Sequence, residues 1–247
     1  VTFIFDEEIS MTSLARYALP TVTLAALLAA CGGGGGMQLP PVIAPGPAVA
    51  GVNIAAAWRD YIAVAHTWTM RGKTTDARAF ELSVVMKPGA SGTFPLTGAS
   101  GQTIDQSFRF AMDGAATVTS DGALFFAGDR MIGISTTDGA CYAVRGASPA
   151  LPASSAVGAY GTMFVLDGYA GCTANGQRLG SSTYSWSVET DGTLIMFCIT
   201  SRQEDGNAAY IGTEVDCVEA NANGTLGTRA KFTITRPDGN SITGRNF

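Results

Sequence analysis

The chain of 247 residues is 46% hydrophobic and only 14% charged, with 31 glycines and a net charge of −5. Ordinary soluble domains carry about 25% charged residues, and here no Lys/Arg run provides a footprint for nucleic acid or for anionic lipid headgroups. A single histidine, His66, excludes the zinc motifs that need two.

The first segment, residues 1–30, reads as an export signal. Arg16 supplies a short positive start, Leu19, Val22, Leu24, Leu27 and Leu28 an apolar run, and Ala29 and Ala30 the small residues that end such signals. The run from Ala18 to Ala30 has 13 residues, whereas a bilayer core takes about 20 in a helix. A spanning helix is therefore not expected. Asp6, Glu7 and Glu8 have the wrong sign for a signal start, so Met11 is the expected initiator.

At Leu28-Ala29-Ala30-Cys31 the chain resembles the lipobox of bacterial lipoproteins, whose form is Leu, small, small, Cys. The resemblance implies diacylglyceryl transfer to the Cys31 thiol, cleavage before Cys31 and palmitate-type acylation of the new terminus. Each buried CH₂ of such chains contributes about 0.8 kcal/mol. The implied partner is the membrane, through the covalent lipid. Gly32 stands where an inner-membrane retention Asp would stand, which implies the outer membrane of a two-membrane bacterium, with the body periplasmic or surface-facing. The run Gly32 to Gly36 is also similar to the tethers of some surface-exposed lipoproteins. The whole-chain layout resembles lipoproteins with an extracytoplasmic β-rich body.

Residues 31–52 are expected to be the tether: five glycines followed by Pro40, Pro41, Pro45 and Pro47, flexible first and then stiffer. Residues 53–247 form the body. Ile54, Trp58, Tyr61, Ile62 and Ala65 recur on one helical face behind Asn53, a good N-cap, and predict one short helix over about 53–66. Tyr61 to Met70 reads alternatively as a strand, because Val64, Thr67 and Thr69 favour it.

Beyond residue 65 the pattern has period two. Phe80, Leu82, Val84 and Met86 share a face, as do Phe108, Phe110 and Met112, Tyr184, Trp186 and Val188, and Ala230, Phe232 and Ile234. Polar residues fill most positions between, among them Glu81, Ser83, Arg109, Ser185, Ser187, Lys231 and Thr233, as in antiparallel strands with one wet face. Asp-Gly occurs at 113, 121, 138, 167, 191, 205 and 238, the preferred pair for tight hairpin turns. The expected fold class is all-β, an antiparallel barrel or a two-layer sandwich, because so many strands in one open sheet would curl or split. The parallel between Val118–Phe126 and Val188–Met196, each around an Asp-Gly, raises the alternative of two similar halves, 53–147 and 148–247.

Cys141, Cys172, Cys198 and Cys217 are an even set in an exported chain, which predicts two disulfides. Cys198 and Cys217 flank one predicted hairpin, so the expected pairs are Cys198–Cys217 and, by elimination, Cys141–Cys172. No metal or cofactor site is expected, since no C-x-x-C spacing occurs. The acids Glu204, Asp205, Glu214, Asp216 and Glu219 would hold Ca²⁺ only if several oxygens converged; a solvated face is the simpler reading.

No catalytic residue is assigned. His66 lacks a partner serine in a G-x-S-x-G elbow, and no nucleotide or haem fingerprint occurs. The expected role is non-enzymatic binding or envelope structure, with a protein or a small apolar ligand as candidate partner. The first alternative is a ligand or lipid carrier, its cavity lined by Phe108, Phe110 and Trp186. The second is a hydrolase.

Overall fold

The computed structural model describes residues 51–247 except 75, 76 and 174; the side chains of residues 116 and 117 are also outside the description. The export signal, Cys31 and most of the tether lie outside the described residues. In chain order the elements are β1 (Gly51–Val52), α1 (Ile54–Ala63), β2 (His66–Lys73), β3 (Ala79–Thr93), β4 (Ser100–Met112), β5 (Ala115–Ala127), β6 (Arg130–Thr136), β7 (Cys141–Val144), β8 (Ser155–Ala156), β9 (Tyr160–Tyr169), β10 (Arg178–Asp191), β11 (Leu194–Asp205), β12 (Tyr210–Ala220), β13 (Leu226–Thr235) and β14 (Ser241–Arg245).

Twelve of these strands form one closed antiparallel barrel, in the order β10-β11-β12-β13-β14-β2-β3-β4-β5-β6-β7-β9. Of the two expected all-β architectures, the barrel is the one adopted. β1 and β8 pair separately as a small two-stranded sheet. Ring closure rests on the pairing of β14 with β2, in which Thr243, Gly244 and Arg245 face Lys73, Gly72 and Arg71. Strands from residues 53–147 and from 148–247 form two contiguous arcs, β2–β7 and β9–β14, joined into a single ring through β7–β9 and β14–β2.

The period-two pattern sorts the wall. Phe80, Leu82, Val84 and Met86 on β3 are buried, as are Trp68 and Met70 on β2 and Ile104, Phe108 and Phe110 on β4. Outward positions carry Thr67, Thr69, Arg71, Glu81, Ser83 and Lys87. Arg71 pairs with Glu81 at 2.7 Å, Asp167 with both Arg145 and Arg178, and Asp191 with Lys231 and Arg245. Surface pairs of this kind contribute about 0–1 kcal/mol each. They lie on the outward face of the wall, among the hydroxyls of Thr67, Thr69 and Ser83.

Turn chemistry explains most hairpins. Asp113 and Gly114 join β4 to β5 with φ of 51° and 82°, the two left-handed positions of a tight hairpin. Asp-Gly at 138, 191, 205 and 238 also lies at strand ends. Asp121–Gly122 and Asp167–Gly168 differ, since they lie within β5 and β9. There glycine answers a steric need: a Cβ on Gly168 would meet the Tyr142 ring at 2.7 Å. Asp121 is therefore mid-strand whereas Asp191 is at a turn, so the two stretches that look parallel in sequence occupy different places in the fold.

The same device operates at the barrel seam. A Cβ on Gly244 would lie 2.5 Å from Phe232 and 2.9 Å from Phe80, and one on Gly72 would meet the Phe80 ring at 2.5 Å. Phe80 packs against Phe110 and Phe232 with ring centroids 5.7 and 5.5 Å apart. The two glycines leave room for rings that fill the interior where the ring of strands closes.

α1 closes one barrel end. Asn53 caps it by accepting from the Ala56 N–H at 2.9 Å, and Ile54, Ala57, Trp58, Tyr61 and Ile62 are buried. The helix is three residues shorter at its C-terminal end than the periodicity suggested, because Val64 is extended and His66 starts β2. Trp58 Nε1 donates to Asp129 O on the β5–β6 turn at 2.8 Å, and the Leu226 N–H donates to Asp60 Oδ2 at 3.1 Å.

Both expected disulfides are present, Cys141–Cys172 and Cys198–Cys217. Cys198 faces Cys217 directly across β11 and β12. Each bridge sits in a small apolar cluster on the outward side of the wall, one with Phe94 and Phe125, the other with Met196 and Val215. The clusters explain why β11 is apolar on both faces: Phe197 and Ile199 point inward, Met196 and Cys198 outward.

Two outcomes are expected in denaturant unfolding of the oxidised chain. Gly244→Ala should lower stability by about 1–3 kcal/mol through overpacking at the seam. Removing Cys198–Cys217 by paired substitution to Ala should cost about 3 kcal/mol, the chain-entropy value for a loop of this length.

Candidate functional site

Four hollows stand out as candidate sites. Two lie inside the barrel. The larger, of about 50 Å³, sits under α1 between β4 and β6 on one side and β9 to β12 on the other. The smaller, of about 20 Å³, lies between Trp68, Phe108 and Val218. Phe108, Phe110 and Trp186, the residues expected to line a carrier cavity, are all buried in packed core. Gly161 accommodates the Trp186 ring, since a Cβ there would meet it at 2.8 Å. Neither of these two interior spaces has room for an acyl chain.

A third hollow, of about 270 Å³, opens at the helix-closed end between α1, the start of β6 and the loop before β8. Its floor is Trp58, Met131, Met163 and Phe164; Asp129 and Arg130 stand at its rim. The fourth is a broad depression of about 520 Å³ on the outer face of β3 to β6, with Lys87, Asp105 and Asp121 among its lining residues. Small-molecule sites commonly measure about 300–1,000 Å³ with an apolar lining and few polar groups. The outer depression has the volume but is shallow and open; the groove beside α1, slightly below that range, is more enclosed and has the buried aromatic and methionine floor.

The 50 Å³ cavity has an unusual lining. Register places Tyr184, Ser201 and Glu214 side by side on β10, β11 and β12, with Asp216 next along β12 on the same inward face. Tyr61 from α1 and Gln106 from β4 complete the polar side. Glu214, Ser201 and Gln106 are buried. No Lys, Arg or His lines the cavity among the described residues.

Electrostatics follow from this enclosure. Burial, and then the neighbouring Asp216 carboxylate, raise the Glu214 pKa well above the ordinary carboxylate range. Burial likewise raises Asp216. Tyr61 and Tyr184 are pushed up by burial and further by the two acids. Ser201 is near enough to Tyr184 to offset part of that rise, yet its Oγ has no hydrogen-bond partner of normal geometry.

Of the five acids grouped in the sequence, only Glu214 and Asp216 converge on an interior site. Glu204 pairs with Arg202, Asp205 holds the β11–β12 turn through Asn207 and Ala209, and Glu219 lies against Gly227. A solvated face was the simpler expectation, and it fails for these two because β12 alternates. With Cys217 committed outward by its disulfide, Glu214 and Asp216 must point inward. The alternation was legible in the sequence, and the closed ring decided which face is inward.

His66 has a structural environment. Its Nε2 lies 3.0 Å from Asp60 O and 3.6 Å from Asp60 Oδ2, and its ring stacks on Trp68 with centroids 4.7 Å apart. It ties α1 to β2. The one grouping of three or more His, Cys, Asp or Glu side chains close enough to share a metal among the described residues, Glu189 with Cys198 and Cys217, has both sulfurs committed to a disulfide and so offers no thiolate.

The raised carboxylate pKa gives a signed pH expectation. A neutral Glu214 suits the fold, so its contribution is full below the unfolded carboxylate pKa and is lost as pH rises through the higher folded value. In EDTA, Glu214→Gln should therefore gain stability relative to the wild type as pH rises above the ordinary carboxylate range. The gain should reach about 1–3 kcal/mol at mildly alkaline pH. Parallel pH–stability curves from urea unfolding would contradict it. Comparison with known protein families, with curated proteins and with solved structures returned no match.

Proposed function

We propose that this chain is a lipid-anchored envelope protein, held through Cys31 at the outer membrane of a two-membrane bacterium, whose barrel is a rigid, non-enzymatic binding body. What supports the reading is a barrel braced by two disulfides behind Leu28-Ala29-Ala30-Cys31, a stretch that resembles a lipobox. Disulfides persist in oxidising compartments, and acyl chains on Cys31 would supply a membrane attachment. A filled interior leaves recognition to the outer surface. The partner is a protein, or a small apolar ligand seated in the groove beside α1.

That groove favours a second reading, a carrier of small apolar ligands. Its volume of about 270 Å³ and its floor of Trp58, Met131, Met163 and Phe164 suit a compact ring-sized ligand. A lipid inside the barrel is disfavoured by cavities of about 50 and 20 Å³.

Two measurements test these readings. Metabolic palmitate labelling should mark the wild type and vanish in Cys31→Ser; undiminished labelling of the variant would refute the anchor. N-phenyl-1-naphthylamine should bind saturably with enhanced fluorescence. Leu151→Glu, which sets a charge beside the apolar floor, should weaken that binding by about tenfold or more. Equal binding by both proteins would remove the carrier reading.

A further inference from the structure

Buried polar groups are normally satisfied, and each exception calls for an explanation. The cavity under α1 contains such an exception. Ser201 is 6% exposed, lines the cavity beside the Tyr184 phenol, and its Oγ makes no hydrogen bond of normal geometry among the described residues. Glu214 stands directly opposite it across β11 and β12, also 6% exposed. Asp216 adds a second carboxylate to the same face two residues on. Two carboxylates and an orphaned hydroxyl thus meet in one space that no basic residue of the described chain enters.

We propose that this cavity is a binding site for one hard divalent cation of the size of Ca²⁺, held by Glu214, Asp216 and Ser201. The donor chemistry selects the class. Every polar side chain at the site offers oxygen: two carboxylates, the Ser201 hydroxyl, the Tyr184 and Tyr61 phenols and the Gln106 amide. Oxygen-only sets suit Ca²⁺ and Mg²⁺, whereas zinc and copper sites draw on imidazole or thiolate. Two carboxylates neutralise a divalent charge.

Size and geometry separate the two hard cations. The cavity of about 50 Å³ takes an ion with one or two waters and excludes an organic ammonium of any length. Mg²⁺ holds several of its waters in a strict octahedron, and Ca²⁺ accepts an irregular shell of 6–8 oxygens. A wall of fixed β-strands supplies an irregular shell. Inward carboxylates at i and i+2 on one strand are separated by about 6.6 Å of strand rise, a span that Asp and Glu arms close around an ion with oxygens at about 2.4 Å. Binding would also remove the cost of two acids facing one another away from water. The proposal concerns the barrel alone and stands whether or not Cys31 is lipidated.

The test uses the full oxidised chain, stripped with EDTA and equilibrated overnight with Ca²⁺ or Mg²⁺. Ca²⁺ should raise Tm saturably, by about 5 °C at concentrations well above a Kd near 10⁻⁴ M. Mg²⁺ should raise it much less. Glu214→Gln should abolish the rise. No rise in the wild type, an equal rise with Mg²⁺, or an unchanged rise in Glu214→Gln would each overturn the proposal. If Glu214→Gln does not fold, equilibrium dialysis with radioactive Ca²⁺ decides through Ser201→Ala, which deletes one hydroxyl. The wild type should bind one ion per chain, and the variant should bind about tenfold more weakly. Less than one ion in the wild type, or equal affinity in the two, would refute it.

Discussion

Closure of the strand ring is the constraint on which the rest depends. An open twelve-stranded sheet would leave two rows of unpaired N–H and C=O groups, a cost in isolation and an invitation to association. Here the ring is completed by the shortest barrel contact of β14, three residues facing three on β2. That contact requires close approach, and Gly72 and Gly244 provide it. The space they vacate is filled by Phe80 and Phe232, so the seam joins wall and core in one packing unit.

From closure follows the division of surfaces. Once the ring is shut, alternation allows only an inside and an outside. The inside is small enough to be filled by side chains, with α1 set over one end and Trp58 and Tyr61 packed beneath it. The outside takes the charged pairs and hydroxyl rows. Both disulfides lie on the outward side, each in its own apolar cluster. They brace the wall between neighbouring segments and do not cross the core. This arrangement suits a scaffold that keeps its shape and presents loops and a groove at the closed end.

The one departure from that division is the polar sector facing the helix. Glu214 and Asp216 bring charge into a space otherwise bounded by Leu124, Ile134 and Phe164. Such groups stay protonated, or hold a counter-ion, because a bare carboxylate pair away from water is unfavourable by several kcal/mol. Either state couples the barrel to its solution conditions. It also places that coupling next to α1, whose Tyr61 contributes to the same cavity and whose Trp58 floors the outer groove.

The sequence by itself determined the local features. The alternation of Phe80 to Met86 dictated a strand with one buried face, Asn53 before Ile54 dictated a capped helix, and Asp113-Gly114 dictated a tight hairpin, all through interactions within a few residues. The pairing of Cys198 with Cys217 was legible for the same reason, since one hairpin sets it. Tertiary structure decided whatever depended on distant strands. Barrel over sandwich required β14 to meet β2, about 170 residues apart. Gly122 and Gly168 look like turn glycines until the partner strand beside each is known. Five acids close in sequence look alike until the wall gives them sides, and only then do Glu214 and Asp216 turn inward beside Ser201, where burial gives them their chemistry.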